Sequence, residues 1–377
     1  MKQLLASLLL TLVACVAPPA TPDAGPPDLS TFELKSNTPL FRDPGYRFLK
    51  RFLLCGDGFV VWNDIGKVEI AEPRDGSDAI VTAQIADVTP RTSESGFKWG
   101  QLVGTKLYLG DLLDVVHVYD LSNHSMPREL GNFPGYDAAP FVMGTHLLYP
   151  GINTRQGVGH QVIDATNLAQ PVYGAAHQAR LPSDGFGKSA FVEYVAYENR
   201  MLAWEGSGQQ LFELDVSDPM NPKGVAVTRV QVPSLIGSMV FEHSLVSRTV
   251  YWGWKVMDLS NPVRPRMVVD AMEPTRDAIL MNESANELPL VRGGVLFLRG
   301  WRRYQDELDI NIGGQMTPLF RYTLDERGLP VEHSKLPLPE YPAIGNPTKI
   351  SDVCWDGKTL TAAGDRITFW QAKAVEQ

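Results

Sequence analysis

The residue types best suited to molecular recognition stand together at residues 301–304, which read Trp-Arg-Arg-Tyr. Trp and Tyr supply stacking area and Arg supplies planar hydrogen-bond donors, the combination that binding of a sugar or of another protein requires. With similar residues earlier in the chain they form the candidate binding face: Trp252, Trp254, Trp301, Arg302, Arg303, Tyr304, Arg155 and His160. The alternative interpretation is that these aromatic side chains fill interfaces inside the fold.

The chain lacks the local motifs of most hydrolytic, metal-dependent or nucleotide chemistry. It has no His-Glu-x-x-His, no Cys pair at metal-ligand spacing, no Gly-x-Ser-x-Gly and no phosphate-binding loop. Residues 306–311 carry oxygen ligands but lack the glycine and the terminal glutamate of a calcium loop. The seven histidines share no local spacing, and we expect His117 and His146 to be packed strand residues. We therefore assign no catalytic residue, no metal and no cofactor.

A turn motif that begins with Asp and ends with Pro seven positions later occurs four times. The copies run from Asp120 to Pro127, from Asp164 to Pro171, from Asp215 to Pro222 and from Asp258 to Pro265. Consecutive Asp residues are separated by 43 to 51 positions (258−215 and 215−164). An internal period of this size indicates a repeat architecture.

Each copy of the motif has the composition of a closed turn between two strands. An alternating segment rich in β-branched and aromatic residues precedes the Asp, for example residues 115–119 and 210–214. The Asp and the following Ser, Thr or Asn can accept hydrogen bonds from nearby backbone amides, which closes the turn locally. The Pro fixes its own φ and donates no hydrogen bond, so it suits the corner before an outer strand. The constant length of the turn predicts a structural role.

A second pattern, a tight hairpin leading into a short apolar strand, recurs seven times in the sequence. The clear copies lie at residues 104–109, 144–149, 198–203 and 242–246, and the degenerate copies lie at residues 56–61, 292–297 and 356–361. Divided over residues 31–372, seven units give about 49 residues each, the size of a propeller blade. The sequence therefore predicts an all-β fold, a seven-bladed β-propeller of four-stranded antiparallel blades.

Strand alternation would place the middle loop of each blade and the link to the next blade on one face of the propeller. The longer insertions are expected there, at residues 150–160, 177–188, 273–289, 301–315 and 337–349. Loops that vary in length on a rigid repeat are where binding usually occurs. The candidate binding face is expected on the same side.

The strand and turn sequences at residues 118–122, 162–166, 214–218 and 256–260 resemble the LVIVD-repeat β-propellers, a family of bacterial and archaeal cell-surface proteins. The first, sixth and seventh units depart from the motif. The resemblance implies a propeller fold and the envelope location of a bacterial surface lipoprotein. It supplies no catalytic residues.

The two ends of the chain are expected to complete one blade together. The last hairpin is followed by a single strand at residues 366–370, and an alternating segment at residues 31–35 precedes the first unit. We predict that these segments pair and close the ring, which removes two exposed strand edges. Cys55 and Cys354 occupy the same position in the first and last units, so we predict a disulfide between them. The alternative is two buried free thiols.

Residues 1–14 have the basic start and short apolar run of a signal peptide, and the run is too short to span a bilayer as a helix. Residues 12–15, Leu-Val-Ala-Cys, resemble a bacterial lipobox, which implies a lipid on the Cys15 thiol and fatty acyl chains such as palmitate. Residues 15–29 then form a Pro- and Ala-rich tether, and residues 30–377 form a single propeller domain. We expect an exported protein anchored in the outer membrane or at the cell surface.

The charge of the chain limits its partners. The net charge of −9 becomes more negative when the segment with Lys2 is removed, which argues against nucleic acid as a partner. We expect a monomer attached to the membrane through its lipid. Two functions stay open: a non-catalytic module that binds a protein or a glycan, which we favour, and an envelope enzyme, glycan-active or quinoprotein-like, with its site at the mouth of the propeller channel.

Overall fold

The computed structural model describes a chain built from β-strands and the turns that join them. A short 3-10 helix, Leu29–Thr31, leads into strand β1 (Phe32–Pro39). The predicted signal peptide lies outside the described residues. The structure describes residues 28–39, 52–64, 67–73, 80–87, 97–136, 139–154, 157–175, 177–178, 191–197, 200–205, 210–229, 235–241, 244–249, 254–259, 266–271, 290–292, 295–299, 319–324, 330–335, 352–356, 358–363 and 366–373.

The described strands form seven antiparallel sheets, which we number in chain order. Sheet 1 contains β2 (Leu53–Cys55), β3 (Val60–Asp64), β4 (Lys67–Glu72) and β5 (Ile80–Asp87). Sheet 2 contains β6 (Phe97–Val103), β7 (Lys106–Asp111), β8 (Val115–Asp120) and β9 (Arg128–Pro134). Sheet 3 contains β10 (Phe141–Met143), β11 (His146–Thr154), β12 (Gly157–Asp164), β13 (Val172–Tyr173) and β14 (His177–Gln178).

The remaining sheets follow the same plan. Sheet 4 contains β15 (Phe191–Tyr197), β16 (Arg200–Glu205), β17 (Gln210–Asp215) and β18 (Lys223–Arg229). Sheet 5 contains β19 (Leu235–Phe241), β20 (Ser244–Thr249), β21 (Trp254–Asp258) and β22 (Arg266–Ala271). Sheet 6 contains β23 (Leu290–Arg292), β24 (Val295–Arg299), β25 (Leu319–Leu324) and β26 (Pro330–Lys335). Sheet 7 combines β27 (Asp352–Trp355), β28 (Thr359–Ala363) and β29 (Arg366–Ala372) with β1.

In sheets 1 to 6 the strands are ordered as in the chain, so each hairpin pattern joins a first strand to a second and each Asp-to-Pro turn joins a third to a fourth. Gly104 and Gly144 begin two-residue hairpins with φ of 59° and 63°, a region that residues with a Cβ enter at a cost. Because antiparallel strands alternate in direction, both turn classes lie at the same end of each sheet. The second-to-third connections and the links between sheets lie at the other end.

Sheet 3 differs from the four-stranded plan because its outer edge is divided into two short strands. β13 pairs with Ile163 and Asp164, whereas β14 pairs with Gly159 and His160. Gly174 lies after β13, and its N–H donates to the carbonyl of Val162 at 2.8 Å. The outer edge of this sheet is therefore interrupted where an unbroken fourth strand was expected.

Sheet 7 joins the two ends of the described chain. β1 pairs antiparallel with β29 from Phe32 opposite Ala372 to Pro39 opposite Arg366, a longer pairing than the one predicted for residues 31–35. Cys55 at the end of β2 and Cys354 in β27 are joined by a disulfide, with their Cα atoms 5.5 Å apart. The first strands of several consecutive sheets lie side by side, in the pairs β2 with β6, β15 with β19, β19 with β23, β23 with β27, and β27 with β2.

The buried side chains lie between neighbouring sheets, because alternate residues of one strand face opposite sides. Val60 and Trp62 of β3 pack with Cys354 and Phe369 of sheet 7. The intervening Val61 packs in the cluster between sheets 1 and 2, with Phe97, Leu107 and Leu109. Large aromatic side chains such as Trp62 and Phe97 thus fill the space between neighbouring sheets.

Candidate functional site

Of the eight residues predicted for the binding face, the structure describes Trp254 and His160. Trp254 is the first residue of β21 and pairs with Arg248 and Ala271. The other six lie outside the described residues: Arg155, Trp252, Trp301, Arg302, Arg303 and Tyr304. Most of the long connections expected to carry them lie outside as well, so the binding face at these positions stays a prediction.

The placement of His160 in a surface loop is wrong. His160 lies within β12, opposite His177 of β14, and is 3% exposed. The reason is that the expected loop at 150–160 is mostly strand, since β11 extends to Thr154 and β12 begins at Gly157. The side chain is a core residue and offers no contact to a ligand at the surface.

The Asp-to-Pro turns share one local hydrogen-bond pattern. An Oδ1 oxygen of Asp120, Asp164 and Asp215 accepts the backbone N–H of the residue two positions later, at 2.9 Å in each case. The proline positions of the four turns come directly before β9, β13, β18 and β22, although Pro265 itself lies outside the described residues. The turn is therefore closed by its own Asp, without help from another strand.

These hydrogen bonds also lower the pKa of the turn carboxylates. The amide and hydroxyl of Ser122 lower the pKa of Asp120, which is partly exposed. At Asp164 burial raises the pKa, but the hydrogen bonds from Thr166 and the charge of His146 together outweigh it, so the pKa is lowered. Both carboxylates are thus favoured in the charged form, and they stabilise the turns as hydrogen-bond acceptors.

Two of the turns, those that begin at Asp120 and Asp164, also pack against the sheet that precedes them, a contact that the turn sequence alone did not reveal. Nε2 of His124 lies 2.5 Å from Oε1 of Glu72 in sheet 1, and its ring stacks on Phe59 at 4.6 Å between centroids. Leu168 in the next turn lies against β9, where a Cβ on Gly131 would be 3.3 Å from the Cβ of Leu168. The residue four positions after the Asp therefore links neighbouring sheets in both turns.

At the opposite end, the connection between β7 and β8 is a rigid turn at residues 112–114. Oδ1 of Asp111 accepts the N–H groups of Leu113 and Val115 at 2.9 and 2.8 Å. Asp114 has a left-handed φ of 62°, and its carboxylate accepts from Nζ of Lys98 at 2.7 Å. Its carbonyl accepts the N–H of Gly135 at 2.6 Å, which ties the turn to the link that leads to sheet 3.

That link joins sheets 2 and 3 through tyrosine hydroxyls. The Tyr173 hydroxyl donates to the carbonyl of Pro134 at 2.8 Å, and the Tyr136 hydroxyl donates to Oε1 of Gln161. Nε2 of Gln161 in turn donates to the carbonyl of Gly174 at 2.7 Å. The link between the sheets is thus held on both sides by side-chain hydrogen bonds.

Tyr149 lies beneath these groups and is completely buried. Its ring meets that of Tyr136 edge to face, with centroids 5.1 Å apart. Burial, with the nearby Tyr136, Tyr173 and Asp114, raises the pKa of Tyr149 far above the ordinary tyrosine value. Within the part of the chain that the structure describes, its hydroxyl has no hydrogen-bond partner.

Four large apolar side chains are prominently exposed among the described residues. They are Leu113 at 66% in the β7–β8 turn, Val172 at 57% and Tyr173 at 41% in β13, and Met126 at 74% in an Asp-to-Pro turn. Val172 and Tyr173 are successive residues of one strand, so their side chains face opposite sides of sheet 3.

Among the described histidines, His117, His124 and His146 lie close to carboxylates. Nε2 of His117 lies 3.1 Å from Oδ2 of Asp111, and its Nδ1 lies 3.8 Å from Oε1 of Glu129. Across the described ranges, no group of three or more His, Cys, Asp or Glu side chains is arranged to hold a metal ion. The same ranges contain no helix with the length and apolar character needed to cross a membrane.

Comparison with known proteins gives a likeness of fold. No family model and no curated protein sequence matches the chain, so membership of the LVIVD-repeat family stays a prediction. The β-propeller domain of Cps50 (Swd1) from Myceliophteria thermophila superposes with a TM-score of 0.54 at 12% identity, over 91% of this chain and 100% of that one. A chain of the mitotic checkpoint complex gives a TM-score of 0.51 at 13% identity, over 92% and 96%.

At such low identity the similarity concerns the fold alone. The repeated four-stranded antiparallel sheets, packed face to face, agree with it. The chain is a β-propeller protein.

Proposed function

We propose that this β-propeller is a non-catalytic binding module of the cell envelope, with seven blades in a closed ring and a lipid anchor at Cys15. The observation that carries the binding role is the unequal length of the connections at the two ends of the sheets. At the end opposite the hairpins, the connections range from two residues, 65–66 between β3 and β4, to residues 300–318 between β24 and β25. Loops that vary in length on a constant scaffold are where binding usually evolves.

At the end of the sheets that carries the hairpins and the Asp-to-Pro turns, the connections are short and regular. Its hairpins are tight, and its Asp-to-Pro turns repeat one hydrogen-bond pattern at Asp120, Asp164 and Asp215. The turns that begin at Asp120 and Asp164 pack against the preceding sheet through His124 and Leu168. A partner is therefore better accommodated at the opposite end of the sheets, where the connections vary in length. Residues 301–304, which belong to the predicted binding face, lie in one of these connections in the sequence.

Several contacts support a closed ring of seven blades. The pairing of β1 with β29 completes a sheet from both ends of the described chain. β27 of that sheet lies beside β2 of sheet 1, and the disulfide between Cys55 and Cys354 joins the two. A crystal structure of residues 28–377 tests the count directly, and an open arc or a different number of blades would contradict it.

The envelope location rests on the sequence of the first 29 residues. A lipid-modified Cys15 followed by a Pro- and Ala-rich tether would hold the propeller away from the membrane. We expect intact protein to fractionate with membranes and Cys15→Ser protein to be recovered in the aqueous fraction. Mass spectrometry of the N-terminal peptide measures the acyl chains, and an unmodified Cys15 would exclude the anchor.

The partner is proposed to be a protein or a glycan, because residues 301–304 combine Trp, Tyr and Arg, which suit binding of either class. A chain of similar fold belongs to the mitotic checkpoint complex, which favours a protein. The test replaces residues 273–289 and 301–315 with Gly-Ser linkers and compares capture of envelope proteins and glycans with that of the parent chain. We expect the capture to be lost in these variants and kept when the exposed Met126 at the other end is changed to Ser. Equal capture by the parent and by all of the variants would reject the end that carries the long loops as the binding end.

A further inference from the structure

The N-terminal strand begins at a defined end of its sheet. We call the end of the sheets that carries the hairpins and the Asp-to-Pro turns the hairpin end, and we call the opposite end, with the second-to-third connections and the links between sheets, the loop end. β1 is the outer strand of sheet 7, and its first residue, Phe32, pairs with Ala372, the last residue of β29. The preceding residue of β29, Gln371, pairs with Thr359, which directly follows the β27–β28 hairpin. β1 therefore starts at the hairpin end.

The segment that leads into β1 is fixed by hydrogen bonds. The carbonyl of Asp28 accepts the N–H of Thr31 at 3.1 Å, and Oδ1 of Asp28 accepts the N–H and the hydroxyl of Ser30 at 2.9 and 2.7 Å. The carbonyl of Thr31 accepts the N–H of Lys373 at 3.0 Å. The 3-10 helix that precedes β1 also contacts β26 of sheet 6. The chain thus enters the propeller at one ordered point of the hairpin end.

Contacts between neighbouring sheets place the hairpin ends of sheets 7, 1 and 2 on the same side of the propeller. Cys354 lies shortly before the hairpin of sheet 7 and Cys55 directly before that of sheet 1, and the disulfide joins the two. His124, in the Asp-to-Pro turn of sheet 2, stacks on Phe59, which lies in the hairpin of sheet 1. Met126 belongs to the same turn as His124, so it lies on the side of the propeller at which β1 starts.

The length of the proposed tether decides which end faces the membrane. The distance from Cys15 to Asp28 is 13 residues (28 − 15), which reach at most about 45 Å when fully extended. β1 alone runs roughly 26 Å away from the hairpin end. With the loop end at the membrane, the tether would have to pass along this whole height nearly stretched, at a cost in conformational entropy. With the hairpin end at the membrane, no such stretching is needed.

The charge of the hairpin end indicates that the tether, rather than the body of the propeller, holds the protein at the membrane. The carboxylates of Asp120, Asp164 and Asp215 lie at this end, where they close the turns. Carboxylates are repelled by the negative surface of a membrane that contains anionic lipids. The hairpin end is therefore expected to stay close to the headgroups without binding to them.

We propose that the propeller is held with its hairpin end toward the membrane and its loop end toward the aqueous phase. The proposal rests on the lipid anchor given above and deepens the binding role, because it makes the loop end the surface that a partner reaches from the side away from the lipid. The hairpin end, by contrast, faces the lipid headgroups and is shielded from large partners.

The experiment measures which end lies closer to the lipid headgroups. Met126→Cys and Leu113→Cys place one reactive thiol at opposite ends of sheet 2, at two side chains that are both prominently exposed. The native cysteines are occupied, Cys15 by its lipid and the other two by their disulfide. Each full-length lipidated variant is labelled with a donor fluorophore and reconstituted on vesicles of phosphatidylethanolamine and phosphatidylglycerol with acceptor-labelled headgroups. Circular dichroism and thermal melting check that each variant folds like the parent.

Energy transfer to the headgroups should be about twofold or more greater from position 126 than from position 113, because the strands of sheet 2 separate the two ends by roughly 20 Å. Insertion of a Gly-Ser linker of about 30 residues between residues 27 and 28 should reduce this difference, since a longer tether lets the loop end reach the headgroups. Transfer should fall to background when Cys15→Ser is added to either labelled variant.

Equal transfer from the two positions, or greater transfer from position 113, would overturn the orientation and leave the lipid anchor intact. A difference that the inserted linker does not change would show that the body of the propeller contacts the lipid, and it would overturn the tether as the cause of the orientation. Vesicle association that survives Cys15→Ser, or no association of the full-length chain, would instead count against the lipid anchor itself.

Discussion

Nε2 of His124 and Oε1 of Glu72 are 2.5 Å apart, and the two residues belong to different sheets. His124 lies in the Asp-to-Pro turn of sheet 2, whereas Glu72 ends the third strand of sheet 1. The His124 ring also stacks on Phe59 of sheet 1. The repeat motif that defines one blade thus provides the contact to its neighbour, and Leu168 makes the corresponding contact with Gly131 one blade further on.

Replacing His124 by Ala is expected to lower the free energy of unfolding by about 1–2 kcal/mol, since its hydrogen bond to Glu72 and its stacking on Phe59 each contribute about 1 kcal/mol. Urea unfolding measures the change. A double-mutant cycle with Glu72→Ala should give a favourable coupling energy, and a coupling of zero would show that the contact contributes nothing.

Phe32 of β1 is almost completely buried, and its ring meets that of Trp355 at 5.8 Å. Phe32→Ala should therefore cost about 3–5 kcal/mol, as large-to-small changes do in a packed core. Glu33→Ala in the same strand is the control, because Glu33 forms a surface ion pair with Lys35 and should change stability by less than about 1 kcal/mol. Similar melting temperatures for the two variants would mean that β1 is dispensable for the propeller.

The disulfide between Cys55 and Cys354 closes a loop with a sequence separation of 299 residues. Removing a cross-link that closes so long a loop should lower the free energy of unfolding by up to about 5–6 kcal/mol, because the unfolded chain gains conformational entropy. Thermal melting of Cys55→Ser with Cys354→Ser, and of the parent chain under reductant, measures the loss. Cys15→Ser is the control and should melt like the parent. A double variant as stable as the oxidised parent would show that the crosslink does not restrain the fold.

The lowered pKa of Asp164 makes its turn sensitive to acid. A carboxyl group with a depressed pKa in the folded state stabilises the protein above its unfolded pKa, and this contribution is lost as the pH falls through the folded value. We expect Asp164→Asn to be less stable than the parent at pH 7 and nearly equal to it at pH 2. Denaturant unfolding at both pH values tests this. A difference that persists at low pH would point to lost packing rather than lost charge.

Tyr149 should make the stability of the protein depend on pH in the alkaline range. Its raised pKa means that the folded state keeps the proton longer than the unfolded chain, so stability should fall as the pH rises above the ordinary tyrosine pKa. Because the hydroxyl has no partner among the described residues, Tyr149→Phe should be neutral or stabilising by up to about 1–2 kcal/mol at pH 7. The variant should also lose part of the alkaline sensitivity. A strong destabilisation at pH 7 would reveal a hydrogen bond at this hydroxyl.

The sequence by itself determined the local structure of this protein. The hairpin glycines such as Gly104, the closing of the turns by Asp120 and Asp164, and the pairing of the N-terminal strand with the last strand all follow from residue types and alternation. The hairpins and turns depend on residues that are close in sequence, so the spacing of residue types predicts them. The pairing of the two terminal strands is predictable because each end of the chain leaves one strand without a partner in its own repeat.

Only the tertiary structure decided which side chains face one another between sheets. The sequence placed His160 in a loop, but the length of β11 and β12 buries it, and nothing in the turn motif revealed that His124 reaches Glu72. The Tyr173 hydroxyl likewise reaches the carbonyl of Pro134 in sheet 2, a residue distant from it in the chain. Contacts of this kind depend on the angle and spacing at which one sheet packs on the next, and no periodicity within a single repeat specifies them.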